Sequence, residues 1–294
     1  MRQPALRLGL DTELGRSRSV SKPALDADMT YAENQVDEKD GLRVPLNSER
    51  LRRLQPKKRS MLYNPRTIAL ICELYHPPMS PDPGPIQRVH NQMFQSGDPA
   101  YSCFAVTPMG AVLSNPVAQP GASSQVAFLP DRFQFREELS SLTHDGFAQR
   151  VKSIAAQVGE LRGIQVFTAQ QVTVRTLVNP RSFKDSRAYL KQGMFRFDDQ
   201  VEAFGREPQL YGIRLVFQPE PDKGQSSAYS LRIESFNNDP RSLYIENQAS
   251  FGPVMVEQGL DPIEENVLSA YRFVVEESLR FVGRFDAPQQ AEEA

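Results

Sequence analysis

Apolar positions fall into short blocks of distinct period, separated by clusters of proline, glycine and serine. The first block, residues 67–75, carries Ile68, Leu70, Ile71 and Leu74 and predicts a buried strand. Pro77, Pro78, Pro81 and Pro83 then break any regular structure. Pro85 suits the first turn of a helix whose apolar stripe is Ile86, Val89, Met93 and Phe94 and whose end is Gly97. Two strands are expected next: 101–113, bent at Pro108 and Gly110, and 125–136. In the second, Phe133-Gln134-Phe135-Arg136 alternates apolar and polar, as a half-buried strand does. Phe147, Val151, Ile154, Ala155, Val158 and Leu161 then fall at helical spacing over 145–161, with Asp145 as the expected cap and Gly163 as the end.

The grammar restarts at residue 164. A long strand is expected over 164–178, with Val172, Val174, Thr176 and Val178 in alternation. A helical stretch over 186–204, broken near Gly193, precedes strands at 210–218, 229–236 and 242–250. The last helix is expected over 262–282, capped by Asp261 and buried along Ile263, Val267, Ala270, Val274 and Phe281. The pattern predicts an α+β fold of two tandem strand–helix–strands–helix units, 61–163 and 164–286. Each unit would form a mainly antiparallel sheet with helices on one face. The two sheets together would make a saddle-like surface.

Outside that body the chain is polar. Residues 1–60 hold almost no aromatic side chain and no sustained period, so they bury too little apolar surface to offset about 1–2 kcal/mol per ordered residue. A disordered tail is expected there, and another at 287–294. Asp37, Glu38 and Asp40 precede a basic run that includes Arg50, Arg52, Arg53, Lys57, Lys58 and Arg59. That run can meet an anionic surface, although a solvated linker is the favoured reading.

Composition narrows the function. The formal net charge of −2 over 294 residues disfavours a surface built throughout for nucleic acid. Two cysteines exclude a disulfide framework and suit a reducing compartment. With no apolar run of bilayer length and no signal-peptide core, a cytoplasmic protein with no membrane contact is expected.

The body from about Asn64 to Gly283 resembles a sporadically distributed bacterial family of uncharacterised proteins. The resemblance rests on Asn64-Pro65-Arg66-Thr67-Ile68-Ala69-Leu70-Ile71-Cys72-Glu73-Leu74, on Val172-Thr173-Val174-Arg175-Thr176-Leu177-Val178-Asn179, and on Leu260-Asp261 before the last helix. It implies a duplicated α+β body and a bacterial or phage setting, and it implies no activity or cofactor.

Catalytic signatures are missing from the sequence. The three histidines, His76, His90 and His144, accompany no nucleophile elbow, and there is no phosphate loop. The ligand types Cys72, His76, His90 and Cys103 suit zinc, but their spacing matches no zinc motif, and Cys72 lies in an apolar run. Glu73, Glu234 and Glu246 are weaker candidates for a paired-carboxylate hydrolase. Alternation in the second unit sets Arg175, Arg214, Arg232 and Glu234 on the face opposite the apolar positions. Such a face is a binding platform or a solvated surface of cross-strand ion pairs. The expectation is therefore a binding or adaptor protein with a protein partner. The alternatives are an enzyme with a hidden site (a metal-dependent hydrolase or nuclease) and a nucleic-acid binder using the basic segment 50–59 and the sheet arginines. Homo-oligomerisation stays open.

Overall fold

The structure is a computed structural model and describes residues 63–97, 99–117, 119–197 and 200–286; the expected tails 1–60 and 287–294 lie outside the described residues. The run Ile68 to Leu74 forms strand β1 (Arg66–Tyr75), which puts Leu70, Cys72 and Leu74 on one face, all buried. Helix α1 (Gly84–Gln95) follows with Pro85 in its first turn, burying Ile86, Val89 and Met93. Next come β2 (Cys103–Thr107), β3 (Gly110–Ser114), β4 (Ser123–Phe128) and β5 (Arg132–Glu138), then helix α2 (His144–Arg162).

The second part opens with β6 (Val166–Phe167) and β7 (Ala169–Val178). An irregular helical segment, Ser186–Ala188 and then Tyr189–Phe195, precedes β8 (Gly212–Phe217), β9 (Ala228–Ser235), β10 (Leu243–Phe251) and β11 (Val254–Met255). Helix α3 closes the body. It runs Asp261–Arg272, passes through a π-helical turn at Phe273–Ser278 and ends over Leu279–Gly283.

Nine strands form one sheet in the order β2-β3-β4-β5-β1-β7-β10-β9-β8, and every neighbouring pair is antiparallel. The expected units 61–163 and 164–286 thus contribute five and four strands to a shared sheet, joined where β1 pairs with β7. β6 and β11 make a separate two-stranded ladder.

α2 and α3 pack against each other and against the sheet. Phe147, Val151, Ile154 and Val158 from α2, and Ile263, Val267, Ala270 and Val274 from α3, are buried against Phe133, Phe135, Val172, Val174, Ile233 and Ile245. Each large apolar side chain so buried stabilises by about 1.5–3 kcal/mol. Among the polar residues buried on this face, two hold α3. Gln170 Nε2 donates to the Ile263 carbonyl at 3.0 Å, and Asn247 Nδ2 donates to the Ala270 carbonyl at 3.1 Å.

Four local expectations are corrected. The strand expected over 101–113 is the β2–β3 hairpin, because Pro108 lacks an N–H for a ladder and sits in the turn. The strand expected over 125–136 is the β4–β5 hairpin, turning between Phe128 and Arg132. The strand expected over 164–178 is split, so that β6 leaves the main sheet and only β7 enters it. Neither acidic cap forms. The Thr143 hydroxyl caps α2 by accepting from the Gly146 N–H at 3.1 Å, while Asp261 lies within the first turn of α3 and pairs with Lys152 of α2. Gly163 does end α2, in the left-handed conformation at φ 67°.

The break expected near Gly193 takes the form of the π-helical Tyr189–Phe195. A Cβ at Gly193 would stand 2.7 Å from the Phe183 ring and 2.9 Å from the Phe285 carbonyl oxygen, so the close approach of these groups requires glycine.

Gly110, in the β2–β3 turn, has φ 142°, and a Cβ there would lie 2.0 Å from the Phe128 carbonyl oxygen. Gly110→Ala is expected to lower unfolding stability by roughly 2–3 kcal/mol, since backbone rather than a movable side chain meets the methyl. Gly224→Ala (φ 73°, open space) should cost about 1 kcal/mol. Urea midpoints of the two variants check the difference.

Candidate functional site

Period-two alternation sends every second strand residue away from the helices. On that open face the strand registers align Glu138, Ala69, Arg175, Glu246, Arg232 and Arg214 in one row across β5, β1, β7, β10, β9 and β8. Ala69 is small, and this lets Arg175 reach over β1. Its Nη1 lies 3.3 Å from Glu138 Oε1 while its Nε donates to Glu246 Oε2 at 2.7 Å. Arg232 Nη2 lies 3.3 Å from the other Glu246 oxygen, and Arg232 Nε lies 3.7 Å from Glu234. The Tyr244 hydroxyl also donates to Glu246 at 2.7 Å, and the Arg232 guanidinium lies 5.1 Å from the Tyr244 ring centre.

The row therefore alternates in sign until its outer end. There Arg214 stands directly opposite Arg232, is exposed, and bonds through Nε to Ser230 Oγ at 3.0 Å. Among the described residues no carboxylate lies within 4 Å of it. A second cluster sits farther along the strands, where Glu73 accepts from Gln134 at 2.9 Å and lies 3.5 Å from Arg132.

Electrostatics hold Glu246 ionised. Burial by itself would raise its pKa, but hydrogen bonds from Tyr244 and Arg175 and the charges of Arg232 and Arg175 outweigh it, and the carboxyl titrates below its ordinary value. The same contacts act in reverse on Tyr244, whose phenol is pushed up to about 12 by burial and by the Glu246 carboxylate.

The sequence-predicted residues Arg175, Arg232 and Glu234 meet around Glu246, and Arg214 extends their row. Arg52, Arg53, Lys57, Lys58 and Arg59 lie outside the described residues. The structure does not draw the four zinc candidates together. Cys72 is buried on the helix face with its thiol 3.5 Å from Gln170 Nε2, and burial pushes its pKa up to about 12. His76 packs edge-on against Phe133 and bonds the Pro77 carbonyl through Nδ1, and burial lowers its pKa. His90 lies between the Phe94 and Phe104 rings. Cys103 is exposed on β2, four strands or about 19 Å from β1. Among the described residues no three His, Cys, Asp or Glu side chains form a metal-binding group. Glu73 sits four residues out of line with Glu246 across the ladders, about 13 Å along the strands, and does not pair with it.

Sequence reasoning missed a cavity of about 550 Å³ on the opposite face, between β8–β9 and the π-helical turn of α3. Its aromatic lining follows the apolar periods of core residues, so period alone gives no sign of it.

No family model and no curated protein matches the chain. The fold and site define an α+β protein in which, among the described residues, one sheet face is covered by helices and the other, charged, is not. Among the described residues no helix is long and apolar enough to cross a membrane.

Because folding depresses the Glu246 pKa, its stabilisation is complete above the ordinary carboxyl range and is lost as pH falls through the folded-state value. Glu246→Gln is expected to cost about 1–3 kcal/mol at pH 7, the usual loss when a charged partner is withdrawn from hydrogen-bonded groups. At about pH 3 the gap between variant and parent should shrink, as measured by urea unfolding at both pH values.

Proposed function

We propose that this is a non-catalytic binding or adaptor protein that recognises a protein partner on the open face of its sheet. The setting we propose is a multi-component system in the bacterial or phage-infected cytoplasm. The observation that carries this reading is the alternation of sign along Glu138, Arg175, Glu246 and Arg232, ended by Arg214, which has no carboxylate partner among the described residues. A polyanion such as nucleic acid would meet Glu138, Glu246 and Glu234 as often as the arginines. A protein surface of mixed charge can match both signs, and matched charges confer specificity and association rate. Arg214 supplies a planar donor array to a partner carboxylate.

We also infer that the body is a duplicated strand–helix–strands–helix unit with saddle-like curvature. In support, β1 and β7 each open a half, each is followed by a helical segment and a strand meander, and each half closes with a long helix. In both halves the opening strand pairs with the last strand of its meander, β1 with β5 and β7 with β10.

Recovery of partners from cells of the source organism tests the proposal. Arg214→Glu should reduce recovery at least about fivefold, the cost of reversing one interfacial charge. Arg88→Glu, on the exposed side of α1, should leave recovery unchanged. Equal recovery by both variants, or equal recovery by the parent at low and high salt, overturns it. Removal of residues 1–60 is expected to leave the body folded and to weaken recovery. Salt-sensitive retention of duplex DNA, with no protein retained, would instead favour the nucleic-acid alternative.

A further inference from the structure

The cavity between β8–β9 and α3 lies on the helix-covered side of the sheet, away from the charged row, and its chemistry is of a different kind. Phe217, Tyr229, Phe251, Phe273 and Phe281 contribute five aromatic rings, and among the described residues Glu277 contributes the only ionisable side chain other than the tyrosine. The rings are arranged in several orientations. Tyr229 and Phe273 stack at 4.3 Å with an interplanar angle of 7°. Phe217 meets Phe273 at 71°, and Phe251 meets Tyr229 at 85°.

The π-helical turn builds this lining. In a regular α-helix, residues 273 and 281 differ by about 80° around the axis, because eight residues at 3.6 per turn overshoot two turns. The extra residue accommodated in Phe273–Ser278 turns the last segment back, so that Phe273, Glu277 and Phe281 all face the cavity. The wide turn is stabilised internally. Ser278 Oγ donates to the Phe273 carbonyl at 3.1 Å, and the Tyr229 and Ser269 hydroxyls lie 3.2 Å apart. These contacts hold the rings without using Glu277, which is exposed and, among the described residues, makes no hydrogen bond or ion pair.

We propose that this cavity binds a small organic cation with a flat or branched apolar body, such as a quaternary or aryl-alkyl ammonium group. Ring faces carry the negative part of the aromatic quadrupole and attract a cation within about 6 Å, most strongly where water is excluded. Glu277, an exposed member of the lining, adds a negative charge, and among the described residues no lysine, arginine or histidine lines the cavity to oppose it. The cavity, about 550 Å³ and half open to solvent, has room for a small ligand of this kind. An anionic ligand of the same shape would leave its charge against Glu277 and the ring faces.

The full chain should be titrated with benzyltrimethylammonium and with benzylsulfonate, an anion of similar size, with binding followed by saturation-transfer NMR. The cation is expected to bind at least about tenfold more tightly than the anion, equivalent to one well-desolvated cation–π or ion-pair contact. Glu277→Gln, at an exposed position, should weaken cation binding about fivefold and make it less sensitive to salt. Phe273→Leu should weaken it further, with the fold checked by the unchanged amide spectrum of β1 and β7. Equal affinity for cation and anion, undetectable binding of both at about 10 mM, or insensitivity to Glu277→Gln overturns the proposal. Because Arg214 is not part of the cavity, its variant should bind the cation as the parent does, which separates this outcome from that of the open face.

Discussion

β1 and β7 lie side by side in the middle of the sheet, and their register sets the direction of every side chain on both faces. Val172 opposite Cys72 and Val174 opposite Leu70 place four apolar side chains beneath the helices. The same pairing puts Ala69 beside Arg175 on the other side. A one-residue slip would carry Arg175 under α2 and α3 and bring Val174 to water, at a cost of several kcal/mol for the charge alone. The ladder thus fixes core and charged row together, and neither can be altered without the other.

The charged row is stable because its desolvation is partial and Glu246, at its centre, is well supplied with donors. Glu246 accepts from Tyr244 and Arg175 and lies close to Arg232, so the cost of half-burying one carboxylate is offset by three partners. Arg175 bridges two carboxylates over the low saddle that Ala69 leaves in β1. Replacing Ala69 by a bulkier side chain would remove that path, although neither residue is adjacent in sequence to the carboxylates it joins. An isolated surface pair contributes 0–1 kcal/mol. A network of shared contacts is better ordered, so this face presents a fixed array of charges.

Much of this was legible from spacing alone. Period two in Phe133 to Arg136 and in Val172 to Val178 located β5 and β7, and period 3.6 located α2 and α3, because each element is buried on one side only. The same logic placed Arg175, Arg232 and Glu234 on the uncovered face. It failed where two short strands follow closely, as at Pro108–Met109, since apolar residues continue through the turn and nothing in the period marks a reversal of direction. It also missed Glu138 and Glu246 as the acceptors for Arg175, because pairing across strands depends on sheet order, and β1 lies far from both β5 and β7 in the chain. The cavity was hidden for a different reason. The π-helical turn draws Phe273 and Phe281 into closer line than the roughly 80° offset that a constant helical period gives them.

β9 serves both faces at once. Tyr229 and Leu231 line the cavity, while Ser230 and Arg232 stand in the charged row. Sharing one strand does not by itself couple the two surfaces. Coupling needs an element with two arrangements of similar energy, and β9 is held between β8 and β10 in a single register that a slip would invert. Side-chain rearrangement in the cavity can move Tyr229 against Phe273 without moving the β9 backbone, because the ring is anchored to α3 through Ser269. A ligand there would therefore act on α3 and leave Arg232 in place. On these grounds sharing β9 gives no two-state element through which a ligand in the cavity would reorient Arg232.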